Sequence, residues 1–193
     1  MIFFDIETAP IKLDKEIVEK TTERYWEKIN FMPEFNQIVS IAVWQKVGRK
    51  NVVKSIKWNE KKMIETFYKL VKWNRICGFN IRNFDIPFIV KRGLYHKLPV
   101  PDELKFFWKK PWETEHIIDL FEIYKCNVWG AAGNMWLVTD FIWVTNPKDA
   151  WVDWWMVADM YEKWEIERIH EYCRDDVQWN IDVYDYFKTY NLI

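Results

Sequence analysis

The sequence predicts an α/β fold in which a mixed sheet of about five strands, one of them antiparallel, carries helices on both faces. Three observations support this prediction. The chain opens with strand-like segments, helical and strand-like segments then alternate, and 193 residues are enough for one buried core without disulfides or a structural metal. We therefore expect residues 1–193 to form a single domain.

The predicted elements follow from the spacing of apolar residues. Five segments have the composition and alternation of strands: 1–6, 37–47, 51–57, 75–79 and 115–119. The second and third of these pair across a turn that contains Gly48. Six segments repeat apolar residues at helical spacing: 61–73, 84–94, 120–124, 137–142, 156–163 and 166–186. No element is assigned to the insertions at 14–34 and 98–114.

Composition limits the classes of protein and partner. The chain has 28 basic and 29 acidic residues and a net charge of −1, so any affinity for nucleic acid must come from local patches and metal ions. Cys77, Cys126 and Cys173 are too few and too scattered for a disulfide framework or a zinc site, which predicts a reduced, cytoplasmic setting. No apolar stretch has membrane-spanning length and the N-terminus has no basic leader, so we expect neither a membrane segment nor a signal peptide.

Tryptophan is abnormally frequent. The chain has 14 tryptophans and five glycines, whereas average usage would give roughly 14 glycines. Several tryptophans stand where turn residues are expected: Trp44, Trp58, Trp73, Trp143, Trp151, Trp154, Trp155 and Trp164. Three hypotheses remain open: the rings form a platform for single-stranded bases, they fill the core, or the gene comes from a genome in which UGA encodes glycine.

Two carboxylates lie on the first predicted strand. Asp5 and Glu7 are two residues apart in the segment Phe-Asp-Ile-Glu-Thr, so their side chains point to the same face of the strand. Two neighbouring carboxylates repel each other, and a divalent cation such as Mg²⁺ relieves that repulsion while it keeps positions open for a substrate phosphate. The pair predicts a metal-dependent enzyme that acts on a phosphate, although an acidic strand end in solvent is the common alternative.

Two later segments add acids. Asp85 lies where a predicted strand ends and a helix begins, a place where ligands gather, although a simple helix cap explains it equally well. In the last helix, Asp176 falls on the apolar, inward stripe, whereas Asp175 falls on the polar face. Tyr172 lies one turn before Asp176 on the same side, as a site residue or as a packed core tyrosine.

Taken together, these motifs resemble the DEDD superfamily of 3′-to-5′ exonucleases. Phe-Asp-Ile-Glu-Thr resembles the first exonuclease motif, Asn80-x₃-Phe84-Asp85 the second, and Tyr172-x₃-Asp176 the third, which is the form found in the tyrosine-bearing branch. The resemblance extends over the whole chain and is strongest to free-standing predicted exonucleases related to the exonuclease domain of family-B DNA polymerases. It implies a ribonuclease-H-like sheet. A rival register, His170-x₄-Asp175, matches the histidine-bearing branch.

The resemblance also implies a mechanism with two divalent cations, Mg²⁺ or Mn²⁺. Asp5 would bridge both ions, Glu7 and Asp176 would complete the shell of the first, and Asp85 would hold the second. Tyr172 would position the attacking water. Contacts to the substrate strand are expected from three residues: Thr8, Asn80 and Phe84.

The implied substrate is the 3′ end of a single strand, with DNA favoured over RNA because the motifs resemble those of a polymerase. A polymerase or a repair protein is the implied partner. Two alternatives stay open: a non-catalytic nucleic-acid-binding module, and another ribonuclease-H-like nuclease such as an endonuclease.

Overall fold

A computed structural model describes residues 1–11, 32–48, 50–126, 128, 133, 135–142, 144 and 154–193 of the chain. Five strands form one sheet: β1 (Ile2–Pro10), β2 (Asn36–Val47), β3 (Lys50–Ser55), β4 (Ile76–Gly78) and β5 (Ile117–Asp119). Their spatial order is β3-β2-β1-β4-β5. Because β2 is antiparallel to both of its neighbours while β4 and β5 continue parallel to β1, one strand runs against the other four, as predicted.

The pairing of the strands determines which residues lie together at each edge of the sheet. β1 pairs with β2 along its whole length, from Phe3 opposite Trp44 to Pro10 opposite Asn36, with a register shift after Glu7. This long antiparallel pairing explains why β1 continues four residues beyond the predicted end at residue 6. Since β1, β4 and β5 run in parallel, their carboxyl ends lie at one edge of the sheet.

Helices cover both faces of the sheet. They are α1 (Glu60–Val71), α2 (Asp85–Tyr95), α3 (Leu120–Tyr124), α4 (Met135–Phe141), α5 (Trp154–Glu162) and α6 (Ile166–Thr189). Every predicted helix is present, with ends that differ by a few residues. The insertion at 98–114 contains two short 3₁₀ turns, Asp102–Leu104 and Pro111–Glu113, whereas residues 14–31 of the other insertion lie outside the described part of the chain.

The side chains of β1 alternate between two cores. Phe4 and Ile6 point into a cluster formed with α1 and α2, and Phe3 points into a second cluster formed with α6. This alternation places Asp5 and Glu7 on the face that α6 covers. Among the described residues, no helix combines the length and the apolar character needed to cross a membrane.

The tryptophans do not share one environment. Trp44 packs edge-on against Phe3 with ring centroids 5.5 Å apart, and Trp179 is buried, as the core hypothesis expects. Trp73 and Trp164 behave differently: each follows the end of a helix, with φ of 64° and 60° and side chains 94% and 83% exposed. The left-handed region is unfavourable for a bulky side chain and is typically occupied by glycine, so these two positions favour the glycine hypothesis.

Two other tryptophans of that set, Trp143 and Trp151, lie outside the described residues. The same is true of the side chains of Trp154 and Trp155. Trp58 is described, and its ring is exposed to solvent.

Candidate active site

The first two carboxylates lie together near the carboxyl end of β1. Asp5 and Glu7 are half-buried, whereas Phe4 and Ile6, which point to the opposite face of the strand, are buried. One ligand atom from each of Asp5, Glu7 and Cys173 lies within 4.8 Å of the other two. The two acids therefore share one direction, as the two-residue repeat of a strand predicts.

Asp85 reaches the same place from α2. Its Oδ1 atom accepts a hydrogen bond of 3.2 Å from the backbone N–H of Ile6, which lies between the two acids of β1. The helix-cap interpretation does not hold, because Phe84 occupies the N-cap position and Asp85 is the first helical residue. The side chain of Asp85 is buried and directed towards β1.

The third contribution comes from α6. Asp176 is buried and Asp175 is exposed, as the inward stripe predicted. Burial raises the pKa of Tyr172 well above its ordinary value, and the negative charges of Asp176, Glu7 and Asp5 raise it further. The phenol of Tyr172 is therefore near enough to these acids to be affected by their charge, and it stays protonated.

His170, the histidine of the alternative motif His170-x₄-Asp175, contacts a residue of β2. His170 is buried, and its Nδ1 atom lies 2.9 Å from the Oγ atom of Ser40 on β2. Its partner in that register, Asp175, lies on the exposed face of α6. Tyr172 and Asp176, in contrast, both lie beside the acids of β1.

We call Asp5, Glu7, Asp85 and Asp176 the carboxylate cluster. Burial raises the pKa of Asp85 to about 7, and the neighbouring charges of Asp119 and Asp176 contribute to the rise. Concentrated negative charge of this kind is unfavourable by itself and becomes favourable around cations. Carboxylate oxygens are also the ligands that Mg²⁺ and Mn²⁺ prefer, so the donor set fits hard divalent cations.

Two of the three predicted substrate residues are next to cluster residues in the chain. Thr8 follows Glu7 at the register shift of β1, and Phe84 precedes Asp85, with its ring 5.5 Å from that of Phe88. Asn80 lies in the turn before α2 with φ of 58°, and its side-chain oxygen accepts a hydrogen bond of 2.9 Å from Asn83.

Cys173 is a neighbour of the cluster that the motif analysis did not select. Its thiol donates to the backbone oxygen of Asp5 at 3.4 Å and approaches the Oδ2 atom of Asp5 at 3.7 Å. The sequence did place Cys173 on the inward stripe of α6. A contact with β1 could not follow from that pattern, because the two residues are 168 positions apart.

Comparison with known proteins decides the family. Residues 29–191 match the family described as predicted 3′-5′ exonucleases related to the exonuclease domain of PolB. The chain belongs to this exonuclease family. The matched segment contains Asp85, Tyr172 and Asp176 of the site, whereas Asp5 and Glu7 precede it. No curated protein sequence matches the chain.

The fold of this exonuclease family member is similar to that of a polymerase. The family B DNA polymerase from the hyperthermophilic archaeon Pyrobaculum calidifontis superposes with a TM-score of 0.65 over 99% of the chain, at 16% identity. The chain spans about a quarter of that polymerase, since the match covers 25% of its length. The likeness supports the ribonuclease-H-like fold predicted from the sequence.

Proposed function

We propose that residues 1–193 form one exonuclease domain that removes nucleotides one at a time from the 3′ end of single-stranded DNA by metal-dependent hydrolysis. The observation that carries this proposal is the convergence of the carboxylate cluster and Tyr172 from three distant stretches of a chain whose family consists of predicted 3′-5′ exonucleases. No alternative function has a comparable observation in its favour.

The four acids would hold two divalent cations, Mg²⁺ or Mn²⁺. Asp5 and Glu7 would contribute their carboxylates from β1, Asp85 from α2 and Asp176 from α6. When bound, two such cations supply a nucleophilic water at neutral pH and stabilise the charge on the leaving oxygen of a phosphodiester.

The protein's own contribution is to orient the reactants. Tyr172 keeps its proton because its surroundings are apolar and acidic, so we assign it the role of a hydrogen-bonding group that orients the attacking water, not of a base. Thr8, Asn80 and Phe84 would contact the terminal nucleotides. The half-buried ring of Phe84 can stack on a base of any identity, consistent with digestion that does not depend on sequence.

The tyrosine-bearing branch is supported over the histidine-bearing one. The buried Asp176 and its neighbour Tyr172 face β1, whereas Asp175 is exposed and His170 is hydrogen-bonded to Ser40. We therefore assign the third motif to Tyr172 and Asp176.

A cellular setting and a partner complete the proposal. All three cysteines are free thiols, which fits a reducing cytoplasm. DNA is favoured over RNA because the family is described by its relation to a DNA polymerase, and a polymerase or repair protein is the corresponding partner.

Digestion of linear and circular single strands tests the proposed function. With Mg²⁺ or Mn²⁺, a linear DNA labelled at its 5′ end should shorten progressively and release mononucleotides, while a single-stranded circle, which has no 3′ end, should stay intact. Asp5→Ala should abolish digestion. Fragments from the circle would indicate an endonuclease, and binding without digestion would indicate a non-catalytic module. The same assay on RNA and on a mismatched primer end defines the substrate.

A further inference from the structure

Another buried acid, Asp119, lies near Asp85 of the carboxylate cluster but contacts backbone amides. It ends β5 and caps α3: its Oδ1 atom accepts hydrogen bonds from Phe121 at 3.0 Å and Glu122 at 3.3 Å. The same atom also accepts a bond of 2.9 Å from the backbone N–H of Asn80, and Oδ2 accepts one of 2.9 Å from Arg82. Four amide donors are about as many as one carboxylate accepts, so Asp119 is used as a backbone clamp.

The clamped segment is the connection between β4 and α2. Residues 80–84, which we call the 80–84 turn, contain Asn80 in a left-handed conformation with φ of 58° and lead directly into Asp85. Within the turn, the backbone N–H groups of Asn83 and Phe84 both donate to the oxygen of Asn80. The position of Asp85 therefore depends on the position of the turn.

A second set of contacts holds the same turn on β5. The guanidinium group of Arg82 donates to the backbone oxygens of Thr114 and Ile117, both at 3.0 Å. Its carbon lies 5.4 Å from the centre of the ring of Phe106. These bonds fix the outer side of the turn, whereas Asp119 fixes its inner side next to the cluster.

We propose that Asp119 is a positioning residue, which locks the 80–84 turn to β5 and thereby holds Asp85 in the geometry that the cation site requires. This inference rests on the proposed function, because it assigns Asp85 to a divalent cation. Asp119 itself binds no cation in this scheme. Its effect on metal binding passes through Asp85.

Two substitutions separate the contacts of Asp119. Asp119→Asn keeps an oxygen for Asn80 and for the cap of α3 but presents an NH₂ group to the N–H of Arg82, a donor against a donor. Asp119→Ser keeps a helix-capping hydroxyl and is too short to reach the turn. Asn59→Ala is the control for the loss of a helix cap. The side chain of Asn59 caps α1 by accepting a hydrogen bond of 3.0 Å from the N–H of Lys62, and this exposed contact lies in another part of the protein.

Two quantities are measured. The first is the hydrogen-exchange rate of the backbone amides of residues 80–86 in metal-free protein. The second is the Mn²⁺ affinity, obtained from the electron paramagnetic resonance signal of free Mn²⁺. We expect faster exchange in both Asp119 variants and Mn²⁺ binding that is about 10–100-fold weaker, the range found when groups that orient metal ligands are removed. In an Asp85→Asn background, Asp119→Asn should have no further effect on Mn²⁺ binding. Asn59→Ala should lower only the unfolding midpoint.

Three results would overturn the proposal: unchanged exchange at the turn, unchanged Mn²⁺ affinity in both Asp119 variants, or an equal loss of affinity with and without Asp85. A wild-type protein that binds no Mn²⁺ would also overturn it. If Mn²⁺ binding follows the expected pattern but no DNA is digested, the positioning role stands and the nuclease function fails.

Discussion

At the scale of single residues, the hydroxyl of Tyr172 is the group whose role can be isolated most cleanly. Tyr172→Phe keeps the half-buried ring and removes only the phenol oxygen, which lies near the acids. We expect kcat to fall about 100-fold, the effect of a misplaced reactant, with little change in Mn²⁺ affinity. Digestion rates across a range of Mn²⁺ concentrations measure both quantities.

The matched control is Tyr184→Phe. Tyr184 is a half-buried tyrosine of the same helix that packs against Phe3 with ring centroids 5.3 Å apart. Its substitution should leave kcat unchanged. Equal rates for Tyr172→Phe and the wild type would remove Tyr172 from the mechanism.

Trp73 and Trp164 give a prediction about stability. Both have left-handed backbones and exposed rings, so Trp73→Gly and Trp164→Gly should each raise the free energy of unfolding by about 1 kcal/mol. Trp44→Gly, which removes a ring packed on Phe3, should lower it. Urea unfolding measures all three.

The codons give an independent answer. In a genome where UGA encodes glycine, codons 73 and 164 are UGA and the natural protein has glycine at both positions. UGG at both codons, or a loss of stability in both glycine variants, would make these residues genuine tryptophans.

The site shows which residues a sequence pattern can locate. The shared direction of Asp5 and Glu7 and the inward position of Asp176 follow from the periods of a strand and a helix. The bond between Asp85 and Ile6 joins residues 79 positions apart, and only the resemblance to a known family predicted that they meet. The clamp at Asp119 does not follow from the sequence, because its bonds to Asn80 and Arg82 depend on tertiary structure.

At the scale of elements, a buried ion pair joins α1 to α2. Glu60 lies opposite Arg92, with Oε1 to Nε at 2.7 Å, and also accepts bonds from the N–H of Ile38 at 2.8 Å and from His96 at 2.7 Å. Glu60→Ala would leave the buried charge of Arg92 uncompensated, and we expect a loss of about 3–5 kcal/mol in the free energy of unfolding.

The control for this prediction is Glu65→Ala on the same helix. Glu65 forms an exposed ion pair with Lys62 at 3.4 Å, and loss of such a pair costs at most about 1 kcal/mol. Urea midpoints compare the two variants. Equal small losses would show that the Glu60 network contributes little to the attachment of α2.

His170 makes the packing of α6 on β2 sensitive to acid. Burial lowers the pKa of His170 below its ordinary value of 6.5, and the nearby Lys57 and Arg174 act in the same direction, while Glu167 opposes them. The folded protein therefore takes up this proton less readily than the unfolded chain does. Stability should fall as the pH drops below 6.5 and level off below the folded-state pKa.

The measurement compares urea midpoints of the wild type and of His170→Gln between neutral and mildly acidic pH. The variant should lose less stability over this window than the wild type. Parallel curves would show that His170 is not the group responsible.

At the scale of the whole molecule, the order of the elements was predictable and their exact ends were not. The helical spacing of apolar residues located α1, α2 and α6 within a few residues. The end of β1 was missed because its last residues are held by pairing with β2, which local composition does not reveal. The insertion at 98–114 has short 3₁₀ turns, whose weak local signals no periodic pattern predicts.

The sheet explains how distant motifs form one site. The carboxyl ends of β1, β4 and β5 meet at one edge, and α6 crosses the face on which Asp5 and Glu7 lie. The four acids of the cluster therefore come from three parts of the framework, which are β1, α2 and α6. This arrangement supports a fixed cation site more than a flexible binding surface.

The most direct test of this account compares two adjacent acids of α6. Asp176 is a buried member of the carboxylate cluster and Asp175 is exposed, so Asp176→Asn should abolish Mn²⁺-dependent release of mononucleotides from the 3′ end of single-stranded DNA, while Asp175→Asn should leave it intact. Loss of activity in Asp175→Asn with full activity in Asp176→Asn, or no release of mononucleotides by the wild type with either Mg²⁺ or Mn²⁺, would contradict the account.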